Sequence, residues 1–149
     1  MFLFENEIIR SIFEAIGKLT NLEGLVLSKN SLSGSLPADA LNKLNELQML
    51  ALNRGDDAMK GGITGSLPSF NNLGKLTELY LQNNLIDGTI PMDFLWNAPK
   101  EELLIVDISD NLLTGNLVSS QPKNFETVML SVMGNEFIGI DQNICDNEE

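Results

Sequence analysis

Most of the side chains here with the means to do chemistry are carboxylates, in a chain of 149 residues. Pairs such as Glu101 with Glu102, or Asp107 with Asp110, have the group types for acid–base work once a fold sets their separation. No histidine is present, so neither a Ser-His-Asp nor a Cys-His arrangement can be assembled. Asp56 and Asp57 sit together in RGDDAMKGG, without the glutamate or the ligand spacing of a calcium loop, and no metal is assigned to them. The same stretch spells Arg54-Gly55-Asp56, an adhesion tripeptide in exposed loops of other proteins. Because Arg54 and Gly55 also occupy positions of a longer pattern, the segment reads as a solvated loop. The expectation is a non-enzyme with no cofactor.

Whatever these groups do, the elements that position them are copies of one unit. In residues 73–91, LGKLTELYLQNNLIDGTIP, apolar residues fall at Leu73, Leu76, Leu79, Leu81, Ile86 and Ile90. That spacing fits neither one long helix nor one long strand. Alternation turns Leu79 and Leu81 to one side of a short strand and Tyr80 to the other. Asn84 then bends the chain, while Gly88 and Pro91 mark turns. Residues 19–37 repeat every position, with Leu25, Leu27, Asn30, Leu32, Gly34 and Pro37. A third copy gives Leu47, Leu50 and Leu52, loses register, and regains it at Ile63, Gly65 and Pro68. Leu27 to Leu32 is 5 residues and Leu52 to Ile63 is 11, so about six are inserted near 54–62. Copies at Val106, Ile108, Asn111, Leu113 and Gly115, with Val118 in place of proline, and at Leu130, Val132, Asn135 and Phe137 complete the series. Self-similarity at such a period predicts a solenoid.

The unit resembles the plant-type leucine-rich repeat, L-x-x-L-x-x-L-x-L-x-x-N-x-L-x-G-x-I-P, over roughly residues 16–145. That resemblance implies an α/β fold: a right-handed leucine-rich-repeat solenoid with a parallel concave β-sheet and short helices or turns on the convex side. It also implies recognition of a protein or peptide, as in receptor-kinase ectodomains and inhibitors of cell-wall-degrading enzymes. Asn30, Asn84, Asn111 and Asn135 would form the family's buried asparagine ladder, bonding backbone groups that the bend leaves unpaired. Gly55 interrupts that series in the second repeat along the chain, beside the insertion.

Composition narrows the partners. A formal charge of −12, with nine Lys and Arg spread along the chain, argues against nucleic acid or an anionic membrane surface. A single cysteine, Cys145, cannot close an internal bridge, and no Asn-x-Ser/Thr acceptor occurs. MFLFENEIIR lacks a basic leader and a long apolar run, and no apolar stretch reaches membrane-spanning length. These features fit an intracellular chain or a fragment of a membrane or secreted receptor-like protein. Residues 1–17 place Ile9, Ile12, Phe13 and Ile16 on one helical face with Gly17 as a stop, which predicts a capping helix. About five repeats follow over 18–145, then an acidic tail over 146–149.

Stacking the repeats lines up the outward strand positions. One column holds Val26, Ala51, Tyr80, Asp107 and Ser131, the next Ser28, Asn53, Gln82, Ser109 and Met133, and a third Lys29, Arg54, Asn83, Asp110 and Gly134. Glu78 and Met49 flank the centre. The expected ligand site is therefore Glu78, Tyr80, Gln82, Asp107, Ser109 and Asp110, with Tyr80 as a rigid amphipathic anchor. Five strands about 4.8 Å apart and five residues long give roughly 400 Å², half of one partner's share of a standard interface. The alternative is a structural or scaffold fragment with no ligand on that face.

Overall fold

Period-two leucines become short strands in the computed structural model, which describes residues 1–55, 61–99, 102, 104–117 and 128–140. Gly24–Val26, Met49–Ala51, Glu78–Tyr80, Leu104–Asp107 and Val128–Ser131 hydrogen-bond in chain order as one parallel sheet. Leu25, Leu50, Leu79 and Val106 point from it into the core and are fully or almost fully buried. Parallel neighbours need a crossover. Each crossover here runs through a second parallel sheet, Gly34–Ser35, Ile63–Ser66, Leu85–Gly88, Leu112–Leu117 and Glu136–Ile140. The chain therefore winds as a solenoid. Helix is sparse: among the described residues only Ala38–Leu41 is α-helical and Glu14–Lys18 forms a 3-10 turn. None is long and apolar enough to cross a membrane.

Between the sheets lie Leu44, Leu47, Leu73, Leu76, Ile86, Ile108 and Leu113, all essentially without solvent contact. Burying each such side chain is worth roughly 1.5–3 kcal/mol. Phe70 and Phe94 fill the convex side, their ring centroids 6.2 Å apart and tilted by 59°. Trp96, an apolar residue of the same return segment, is 53% exposed, and Leu95 takes the inward place. The insertion does not break the second sheet, since Ile63 pairs with Gly34 and Thr64 with both Ser35 and Leu85. Residues 56–60, Glu101, Val118, Phe125, Cys145 and the 146–149 tail lie outside the described residues.

The capping helix over 1–17 does not form. Phe2 bridges Val26, the Leu3 N–H donates to the Val26 carbonyl at 2.9 Å, and the Glu5 N–H donates to that of Ser28 at 3.0 Å. Ile9–Arg10 pairs in parallel with Ser31–Leu32, and only Glu14–Lys18 is helical. Backbone angles carry the repeat signature as well. Glu5 (φ 53°) adopts the left-handed conformation of Lys29, Asn83 and Asp110, which hold the same repeat position. Arg10 (φ 92°) stands where Gly34, Gly65, Gly88 and Gly115 have φ of 75–84°. These residues form an additional, degenerate turn of the solenoid. The physical reason is competition: an isolated helix of that length is marginal, whereas extended chain satisfies the open N–H and C=O groups along the edge of Gly24–Val26. Gly17 seats this turn, because a Cβ there would lie 2.9 Å from the Ala40 carbonyl oxygen.

Candidate functional site

Side chains alternating with the buried leucines project from the opposite face of the first sheet. Its register sets Val26, Ala51, Tyr80, Asp107 and Ser131 side by side. A flanking row runs Gly24, Met49, Glu78, Ile105 and Met129. Past the strands, the N–H groups of Lys29, Arg54, Asn83 and Asp110 donate to the carbonyls of Asn53, Gln82, Ser109 and Met133, which extends the same stacking by two positions. The degenerate turn adds a sixth member, with Phe2 beside Val26 and Phe4 ahead of Ser28.

Four of the six candidate residues, Glu78, Tyr80, Asp107 and Ser109, come together. The Tyr80 hydroxyl donates to Glu78 Oε2 at 3.0 Å, and Tyr80 is the register partner of Asp107 on the next strand. Burial, then the hydrogen bond to Glu78, then the negative charges of Glu78 and Asp107 push the Tyr80 phenol above its ordinary pKa. Asp107 is held in place by its own strand end: Oδ1 accepts from the Ser109 N–H at 3.0 Å and the Ser109 hydroxyl at 2.6 Å. Ser109 is buried, so its hydroxyl positions Asp107 and is not available on the open surface. Gln82 is half-buried beside Asn53, whose Oδ1 accepts from the Ser28 hydroxyl at 2.7 Å. Asp110 lies apart, exposed in the outer column, with its carboxylate against Gly134. In that column Lys29 pairs with Glu5 at 2.6 Å, and Arg54 donates to the Gly61 carbonyl.

The asparagine ladder lies on the core side and fixes this face from behind. Asn84 Oδ1 accepts from the Ile63 N–H at 2.9 Å, while Nδ2 donates to the carbonyls of Leu52 and Leu81. Asn111 and Asn135 bond Ile86 and Leu113 in the same way, and Asn30 bonds Ile8. Among the described residues no cluster of His, Cys, Asp or Glu has metal-site geometry. Phe2 and Phe4 escaped sequence reasoning. The signal was Asn6 with Ile8 two residues on, the spacing of Asn30 with Leu32.

The family model for the leucine-rich repeat matches residues 21–44 and 75–96. Pollen receptor-like kinase 2 of Arabidopsis thaliana is 32% identical over 120 residues, which are 78% of this chain and 17% of that protein. The plant peptide hormone receptor RGFR1, solved in complex with RGF2, superposes over 92% of this chain and 20% of that chain with a TM-score of 0.76 at 28% identity. The chain belongs to the plant-type leucine-rich repeat family. The Arabidopsis receptor kinase HAESA, solved with the peptide hormone IDA and the co-receptor SERK1, gives a TM-score of 0.74 at 26% identity, over 92% of this chain and 22% of that one. This leucine-rich-repeat chain spans from 9% to 17% of the length of four curated relatives it matches. The matched residues 21–44 and 75–96 contain the strands Gly24–Val26 and Glu78–Tyr80 and the ladder residues Asn30 and Asn84.

Proposed function

We propose that this leucine-rich-repeat array recognises a protein or peptide ligand through the concave face centred on Tyr80. The observation that carries the reading is the register that seats Tyr80 between Ala51 and Asp107, with Glu78 hydrogen-bonded to its hydroxyl, on the face away from the core. A phenol ring offers broad contact at little cost in rotamer entropy, and its neighbours hold it in place. RGFR1 with RGF2 and HAESA with IDA, whose repeats superpose on this chain, are complexes of peptide hormone receptors, which favours a peptide ligand. Size favours it too: six turns about 4.8 Å apart, each presenting a five-residue stretch about 17 Å long, offer roughly 500 Å², enough for an extended peptide and small for a globular interface.

The test is to pan a displayed random peptide library on the purified chain and measure the recovered peptides against Tyr80→Ala and Asp107→Ala. Both variants are expected to keep the wild-type circular dichroism spectrum and to lose binding. Peptides that bind both variants as well as wild type refute the surface.

A further inference from the structure

Along the three innermost columns of the concave face, the described residues carry just two charged side chains, Glu78 and Asp107. Neither forms an ion pair with a described residue, since the ion pairs found are Lys29 with Glu5 and Lys75 with Glu46. Each carboxylate has one oxygen committed and one open. Glu78 uses Oε2 on the Tyr80 hydroxyl, and Asp107 uses Oδ1 on Ser109, so Oε1 and Oδ2 receive no donor from the described residues. The committed bonds orient both groups without neutralising them. Both flank the Tyr80 ring, whose phenol pKa is raised first by burial and then by the hydrogen bond to Glu78 and the negative charges of Glu78 and Asp107. Towards the first turn the side chains of the central column are apolar: Ala51, then Val26, then Phe2, which is 67% exposed with its ring over Gly24. Two carboxylates around a ring suit a cation, which gains from both the charges and the ring face. The apolar rows beside them suit a peptide side chain better than a free small amine.

Resting on the reading that this face binds a peptide, we infer that the ligand is an extended peptide that sets one Lys or Arg side chain on Tyr80 between Glu78 and Asp107 and an apolar side chain on Phe2. The spacing follows from the sheet. Three strand separations of about 4.8 Å span about 14 Å, and an extended peptide rises about 3.3 Å per residue, so the two anchors lie about four residues apart. The net charge of −12 adds long-range attraction for a basic peptide and makes the association salt-sensitive.

Sequencing the peptides enriched from the random library gives the first readout, and fluorescence anisotropy of one synthetic binder gives the second. Enriched peptides are expected to share a Lys or Arg with an aromatic or aliphatic residue about four positions away. Replacing the basic residue by norleucine is expected to weaken binding to the wild-type chain roughly tenfold. The same replacement should change little against the isosteric double variant Glu78→Gln with Asp107→Asn, whose binding should also depend less steeply on salt. Neutral peptides whose binding depends on Tyr80 but ignores the double variant overturn the cationic anchor and leave the concave reading standing. Peptides indifferent to Tyr80→Ala as well as to the double variant overturn both.

Discussion

Replacing Asn84 by alanine is the sharpest test of how the turns are held together. Asn84 is 4% exposed, and its side chain makes four hydrogen bonds: one from the Ile63 N–H at 2.9 Å, and three to the carbonyls of Leu52, Leu81 and Gln82 at 3.2, 3.0 and 3.3 Å. Their losses are unequal. The Leu81 carbonyl still receives Asn111 Nδ2 at 3.1 Å. The Ile63 N–H and the Leu52 carbonyl are left buried without that partner, and at about 2 kcal/mol for each group the variant loses roughly 4 kcal/mol. For a chain of this length a loss of 1 kcal/mol lowers the melting temperature by about 3 °C, so Asn84→Ala should melt roughly 12 °C below wild type. The neighbour Asn83 is the natural control, but it has φ 61°. Alanine there would cost about 1–2 kcal/mol of backbone strain unrelated to the ladder. Asn83→Gly removes the side chain without that strain and should shift the melting temperature by less than about 3 °C. Thermal melts followed by circular dichroism compare the two directly. Equal shifts for Asn84→Ala and Asn83→Gly would refute the assignment of Asn84 to the interior.

Two further outcomes are expected. Tyr80 is the sole tyrosine, so ultraviolet absorbance reports its ionisation without interference. Its midpoint should lie above the ordinary tyrosine value in the folded chain and return to that value in denaturant, and Glu78→Gln should lower it. Because the folded state holds the phenol proton more tightly, this stabilisation is complete below the unfolded pKa and is lost as pH rises through the folded one. A midpoint identical in folded and denatured chain would contradict the Glu78–Tyr80 geometry. Arg10 occupies a glycine position at φ 92°. Arg10→Gly should therefore stabilise by about 1 kcal/mol after the greater unfolded-state freedom of glycine is counted, while Arg10→Ala should give no gain. Chemical denaturation midpoints distinguish the two.

The repeat was legible because its inward positions answer to geometry. Leu79 and Leu81, the following Asn84, and the glycine at 88 each satisfy a demand of the coil that few residue types meet. The stacking of Tyr80 on Asp107 followed from equal spacing within copies. Residues 1–17 were harder to read. Ile9, Ile12, Phe13 and Ile16 spell a helical face, and the same segment also meets the strand pattern at Leu3, Asn6 and Ile8. What decided between them was the unpaired edge of Gly24–Val26, a tertiary fact with no trace in the local letters. Ser109 shows a second limit. Alternation places it outward, but its short hydroxyl folds back onto Asp107 at 2.6 Å and becomes covered. At 94–96 three bulky residues compete for the interior, and the turn admits Phe94 and Leu95 with Leu95 at φ 56°, leaving Trp96 outside. Outward strand positions are free of any such demand, so the pattern locates the candidate face and leaves its chemistry to the individual residues.

Because each ladder asparagine reaches back to the preceding turn, the winding has a direction. Asn30 fastens Ile8, Asn84 fastens Ile63, Asn111 fastens Ile86 and Asn135 fastens Leu113. A lesion at one asparagine should thus surface about twenty-odd residues upstream, as faster amide exchange at Ile63 for Asn84→Ala while the Ile86 amide keeps its latch. Gly55 brings no side chain to this series, and among the described residues no side chain latches the equivalent amide of Leu32. The neighbourhood of Leu32 is consequently the place where the spring should open first under load.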